Sequence, residues 1–170
     1  MAGNKYLSNN AGLITEVAAS QASAGAGDAG KIVALDAAGR LDTSMLPSGV
    51  GPDVAVITAS ESLAAGDLVN IWDSAGAFRV RKADASTTGK EAHGFVLAAV
   101  SSSNPATVYF EGPNTQVSSL TPGVKFLSAS APGGTQATAP TAAGQIVQRV
   151  GLATSATVLN FEAGTPILLA

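Results

Sequence analysis

Cysteine is absent from the chain, histidine occurs once, and charged side chains make up only 12% of the 170 residues. Without cysteine there is no disulfide framework and no thiolate nucleophile, although that absence says little about compartment. The single histidine, His93, leaves no second imidazole for a His-based metal site. Any Ser-His-Asp arrangement would have to be built around that one position. The charge content is about half the usual share for a soluble domain, and charge is what ordinarily keeps monomers apart. Two readings follow: much of the surface is covered by partner chains, or it is a β surface rich in Ser and Thr. Lys and Arg number nine, with no basic run, and the net charge is −3. Arg79, Arg81 and Lys82 form the densest cluster, too small for a stripe that tracks phosphates, so nucleic acid is not an expected partner. No apolar run approaches the length of a membrane span, and no charged segment leads into an apolar leader core. Neither a span nor a cleaved signal is expected.

Helical periodicity is missing too. From Val54 onward no window of about ten residues keeps a 3.6-residue apolar period. What is there instead is a series of short apolar runs separated by Gly, Pro, Ser and Asp: VAVIT (54–58), LVNIW (68–72), AFRVR (77–81), GFVLAAV (94–100) and ATVYF (106–110). VKFLS (124–128), IVQRVG (146–151), ATVLNF (156–161) and PILL (166–169) follow. Runs of this length and spacing predict an all-β domain, a small sandwich or barrel. An internal repeat supports that reading. Gly66, Gly76 and Gly94 each stand 57 residues before Gly123, Gly133 and Gly151. HGFVLA is answered by RVGLAT, and ATVYFEG by ATVLNFEAG. Two units, about 54–112 and 113–170, are expected to pair their apolar faces into one core that neither could bury alone.

The first fifty residues differ. Residues 1–50 read as a flexible N-terminal arm with a small hairpin and a linker, and 51–170 as the β-domain. The run SQASAGAGDAG (20–30) cannot bury enough apolar area to offset its ordering entropy. Residues 13–19 suggest a local element, too short to hold as an isolated helix. IVAL, the turn Asp36-Ala37-Ala38-Gly39 and Arg40-Leu41 predict the small hairpin, and Pro47, Gly49, Gly51 and Pro52 punctuate the linker. Tyr6, Leu7, Leu13, Ile14 and Val17 have no apolar partners within the arm and gain burial only against another chain.

Several motifs invite a chemical reading. GAGDAGK (25–31) matches G-x-G-x-x-G, and also G-x-x-x-x-G-K, but a phosphate cradle needs a buried strand before the loop and a helix after it. Polar, small residues precede it, strand-like IVALD follows, and Ile32 stands where a Mg²⁺-holding Ser or Thr belongs. A flexible glycine linker is the simpler reading, and no cofactor is expected. Glu91, two positions before His93, could raise the pKa of that imidazole. Glu111 and Glu162 follow Phe110 and Phe161 at matching places in the two units, a pair that could serve acid–base chemistry or Ca²⁺. Strand-end carboxylates in repeats more often accept from the next turn. Trp72 with Tyr109 could form a sugar platform. The apolar run at Pro166, Ile167, Leu168 and Leu169 is expected to be paired in a sheet or buried between subunits.

The stretch GDAGKIVALDAAGRLDTSMLP (27–47) resembles a segment of tailed-phage virion proteins that connects an N-terminal arm to a β-domain. GDLVNIW, AHGFVLAAV, ATVYFEG and GQIVQRVGLATSATVLNFEAGTPILL are similar to the small β-domains of capsid decoration (cement) proteins and of head or tail fibres. The resemblance covers nearly the whole chain from about Gly27. Its motifs are structural, so it brings no catalytic residue. It implies a homotrimer made in the host cytoplasm and carried on the outer capsid surface, with the major capsid protein and itself as partners. The arm residues named above become capsid-contact candidates, and the Pro166 to Leu169 run a trimer-interface candidate. The alternative is a head-fibre or tail-fibre adaptor whose β-domain holds a host glycan around Trp72 and Tyr109. An enzyme built on Glu111 and Glu162 is a third.

Overall fold

Residues 4–46 and 50–170 are described by the structure, a computed structural model. Residues 1–3 of the expected arm and 47–49 of the expected linker lie outside the described residues. The chain divides into two compact units at Gly51 and Pro52.

The N-terminal unit, expected as an arm with a small hairpin at 32–41, carries a hairpin ahead of that position. Alternation in KYLSNN and LITEVA, with β-branched Ile, Thr and Val in the second run, suits a pleated ribbon. Strands β1 (Lys5–Asn10) and β2 (Leu13–Ala18) accordingly pair antiparallel, from Lys5 opposite Ala18 to Asn10 opposite Leu13. The two-residue turn between them has φ of 51° at Ala11 and 90° at Gly12, the positive pair that a type I′ hairpin turn requires. The Asn9 carboxamide oxygen accepts from the Gly12 N–H at 2.9 Å. The element suspected at 13–19 is thus one strand of a hairpin.

Beyond it, Ser20 forms a parallel bridge with Val33, its N–H donating to the Ile32 carbonyl at 2.9 Å. The expected turn at Asp36 forms: its Oδ1 accepts from the Ala38 and Arg40 amides, both at 2.8 Å, and Gly39 takes a φ of 73°. The strands expected on either side of it do not pair as a ladder, because Val33 is drawn to Ser20 instead.

In the β-domain every predicted run from 54 onward contributes a strand. β3 (Val54–Thr58), β4 (Leu68–Ser74), β5 (Ala77–Lys82), β6 (Gly94–Val96) and β7 (Pro105–Tyr109) form one sheet in the order β3-β7-β6-β4-β5. β8 (Gly112–Asn114), β9 (Gly123–Leu127), β10 (Thr135–Gln136), β12 (Arg149–Ser155) and β13 (Val158–Phe161) form the second, in the order β8-β13-β12-β9-β10. β11 (Ile146–Val147), between β10 and β12 in sequence, pairs with β14 (Ile167–Leu168), which follows β13. Numbered within its own repeat, each sheet runs first, fifth, fourth, second, third. The duplication read from glycine spacing is therefore a duplication of topology.

One of the three repeat glycine pairs, Gly94 and Gly151, has a shared cause. Gly94 on β6 lies against β7, and a Cβ there would meet the Tyr109 carbonyl oxygen at 2.5 Å. Gly151 on β12 lies the same way against β13, where a Cβ would overlap the Asn160 carbonyl. Only hydrogen fits at either crossing.

Two cores result. Ala59, Leu63, Val69, Val80, Val96, Ala106 and Val108 fill the inside of the first repeat. Its edges meet, since Ala59 bridges Val80 and closes the sheet into a small barrel. The larger cluster joins the repeats: Leu68 and Phe95 from the first sheet pack with Leu127, Leu159 and Phe161 from the second. Phe95 stacks on Tyr109 at 5.4 Å and tilts against Phe161 at 5.5 Å between ring centroids. Burying three aromatic rings together is worth more than their area alone, and here it ties one repeat to the other.

Candidate functional site

The residues with chemical potential are, one by one, occupied by structural tasks. His93 lies beside β4, where its N–H donates to the Val69 carbonyl at 2.8 Å and its Nδ1 accepts from the Ile71 N–H at 3.0 Å. The ring extends the ladder past the end of β6, and the accepting Nδ1 places the proton of the neutral imidazole on Nε2. Glu91 turns its carboxylate to the Gly89 amide at 3.1 Å, while its carbonyl accepts from the Asn70 side chain.

Trp72 and Tyr109 do not form a platform. The Trp72 indole N–H donates to the Ser60 hydroxyl at 3.2 Å, and the Arg81 guanidinium lies 4.6 Å from its ring centroid. That guanidinium also donates to Asn70 Oδ1 and to the Gly89 carbonyl, pinning the loop before β6. Tyr109 instead stacks on Phe95 and borders a cleft of about 530 Å³ with Leu97, Val100, Asn104 and Thr107, which Trp72 does not line.

Glu111 stands exposed just past β7. Glu162, just past β13, pairs with Arg149 at 3.4 Å across solvent-exposed surface. Among the described residues no three His, Cys, Asp or Glu side chains lie close enough together to hold a metal ion.

The glycine-rich GAGDAGK loop closes around a carboxylate rather than opening toward an anion. Asp28 accepts from the Ala24 N–H and from the Lys31 ammonium, both at 2.6 Å. The Lys31 ammonium and then the Ala24 amide hold the Asp28 carboxyl below its ordinary value, and the same contact raises Lys31. The lysine that a phosphate loop would need is thus already paired. Asp42 begins a short 3-10 turn, Thr43–Met45, and its carboxyl is likewise lowered by the Ser44 hydroxyl and amide. Together these contacts give 20–46 a fixed path without a core, since none of its residues is buried.

The apolar residues singled out in the hairpin share that condition. Leu7 is 74% exposed, Leu13 67% and Ile14 60%, with Tyr6 and Val17 opposite each other and half-buried. Strand alternation puts Tyr6, Leu13 and Val17 on one face, and Leu7 and Ile14 on the other beside the Lys5–Glu16 ion pair. Ile32, Val33, Leu35 and Leu41 are exposed as well. A two-stranded ribbon is marginal in water unless a third element covers it, and nothing in 4–46 does.

At the other end, Ile167 and Leu168 are paired through β14 yet remain 59% and 58% exposed, with Pro166 exposed and Leu169 half-buried. Among the described residues six polar side chains are buried, Asn70, Asp84, Asn114, Lys125, Ser128 and Gln148, and the sequence reading singled out none of them. Gln148, 2% exposed, accepts from the Ala92 N–H and donates to the Ala92 and Gly164 carbonyls. Lys125, 3% exposed, donates to the Thr121 hydroxyl at 2.9 Å. Neither carries a motif, so only three-dimensional placement reveals them. Among known proteins, no family model, no curated sequence and no solved structure matches this chain.

Proposed function

We propose that the chain is a non-enzymatic virion structural protein that binds the outer surface of a phage capsid and secures contacts between major capsid subunits. The observation that carries this reading is the N-terminal unit: a hydrogen-bonded β-hairpin and loop with no buried residue among the described ones and with Leu7, Leu13, Ile14, Ile32, Val33, Leu35 and Leu41 open to solvent. Ordering a backbone costs about 1–2 kcal/mol per residue, and local hydrogen bonds alone do not offset that. Burial of these side chains on a second protein does, at about 25 cal/mol per Å². The engagement of His93, Trp72, Glu162 and Lys31 in structural contacts fits a protein whose task is attachment.

In this reading Tyr6, Leu7, Leu13, Ile14 and Val17 touch the capsid, and the exposed Pro166, Ile167 and Leu168, with half-buried Leu169, meet their counterparts in a homotrimer. Three hairpins on one particle raise one another's effective concentration, so individually weak contacts suffice. The test is co-sedimentation of the purified protein with undecorated capsids and, separately, with isolated capsid subunits. Binding to capsids and not to free subunits is the expected result. Failure to bind capsids under any salt condition overturns the proposal.

A further inference from the structure

The two repeats provide an internal comparison of how each barrel closes. In the first, the chain leaving β3 turns alongside β5: the Ser60 N–H donates to the Val80 carbonyl at 2.8 Å, and Ala59 is 1% exposed. Strand pairing locates the same place in the second. Val69 stands opposite Gly94 and Lys125 opposite Gly151. Two positions further along, Ile71 faces Val80 and Leu127 faces Thr135. Thr135 therefore holds the position of Val80, and since Val54 pairs with Tyr109 as Pro113 pairs with Asn160, Ser118 and Ser119 hold those of Ala59 and Ser60.

Here the seam is open. Among the described residues no backbone hydrogen bond joins Thr135 to 116–119. A cleft of about 310 Å³ lies between them, with Val117, Ser118 and Thr135 on its walls and Gly66, Asp67 and Gly133 along its length. β10, the bordering strand, has two residues where β5 has six.

We propose that this open seam is a strand-docking site, entered by an extended peptide segment of another protein that pairs with β10 and completes the second barrel as 59–60 completes the first. Backbone pairing at a sheet edge supplies affinity, and side-chain pockets supply selectivity. The first repeat defines the occupant. It presents a backbone N–H to the Thr135 carbonyl, as Ser60 does to Val80, so proline is excluded at that position. The neighbouring side chain is small, as Ala59 is, because Val117 and Leu120 already fill the apolar side. The segment is neutral: Asp67, the one acid of the cleft, already accepts from the Ala64 N–H and pairs with Lys82 at 3.3 Å. The site is independent of the capsid reading, and its test uses no capsid.

The probe is a synthetic peptide copying residues 54–62 of this chain, which contains the segment that closes the first seam. Titrated into isotope-labelled full-length protein, it is expected to shift the amides of 116–118, Thr135 and Gln136 saturably. Ser118→Trp, which fills the cleft from an exposed position, should weaken binding about tenfold with an unchanged melt. A peptide with proline in place of Ser60 should also bind about tenfold more weakly, a result that does not depend on how the variant folds. The proposal is overturned by the absence of saturable shifts up to millimolar peptide, or by equal binding of the proline peptide. It is overturned as well if the same amides shift with protein concentration alone, which makes a second copy the occupant.

Discussion

Ala11 is the residue most at odds with its surroundings. It takes a φ of 51° at the tip of the N-terminal hairpin, where an L side chain costs about 1 kcal/mol relative to glycine. Ala11→Gly should therefore slow amide exchange within β1 and β2 by about fivefold and leave the β-domain melt untouched; unchanged exchange would show that the turn is not under strain. Gln148 makes the opposite case, a buried polar group with all its bonds made. Gln148→Leu leaves the Ala92 N–H and C=O buried without partners and should cost about 2 kcal/mol or more in a denaturant titration. Neither residue was legible beforehand. Ala11 lacks the Asn-Gly signature of such turns, and Gln148 sits in a run whose neighbours alternate as any strand does. The turn at Asp36 was legible in Asp36-Ala37-Ala38-Gly39, where the aspartate accepts from the turn and the glycine takes a positive φ. The pairing of Lys31 with Asp28 was not, since it depends on how the loop folds back.

At the scale of the element, the β runs of the second part could be read because their apolar and β-branched residues cluster between turn formers. β8 and β10 could not. Gly-Pro-Asn and Thr-Gln carry no strand signal and are strands only because β13 and β9 offer them an edge. The N-terminal hairpin was missed for a related reason: small residues around it dominate the composition, while LITEV and its turn carry the local signal. The loop after the hairpin rests on two carboxylates whose values are lowered from 3.8. A lowered carboxylate contributes stability above its unfolded value, and that contribution is lost as pH falls through the lower, folded value. For Lys31, raised from 10.5, the loss comes as pH rises through the folded value. The amide proton signals of Ala24 and Ser44, whose acceptors are Asp28 and Asp42, should accordingly titrate with midpoints below 3.8. Midpoints at or above that value would mean that these contacts do not hold the loop in solution.

At the scale of the whole molecule, the sequence repeat was correct in period but one residue out in detail. Matching Ala-Thr-Val to Ala-Thr-Val sets Tyr109 against Leu159. Strand pairing instead sets Tyr109 in the place of Asn160, which keeps Phe110 with Phe161 and Glu111 with Glu162 as the repeat paired them and leaves the extra residue of the second repeat between Val158 and Phe161. The two repeats share their larger core, so Phe95→Ala should cost about 3–5 kcal/mol and lower the stability of both together. A melt that separates into two transitions would contradict a shared core. The exposed Ile167 and Leu168 place the proposed homotrimer within reach of sedimentation, where a stable monomer at micromolar concentration would count against it. The central claim is that attachment resides in the N-terminal unit and folding in the β-domain. Its most direct test compares the full chain with one lacking residues 1–30, in a thermal melt and in co-sedimentation with undecorated capsids. The account predicts that the shortened chain melts as the full chain does, with little or none of it on the particles. A shortened chain that melts normally and still fills the capsid with unchanged affinity contradicts it.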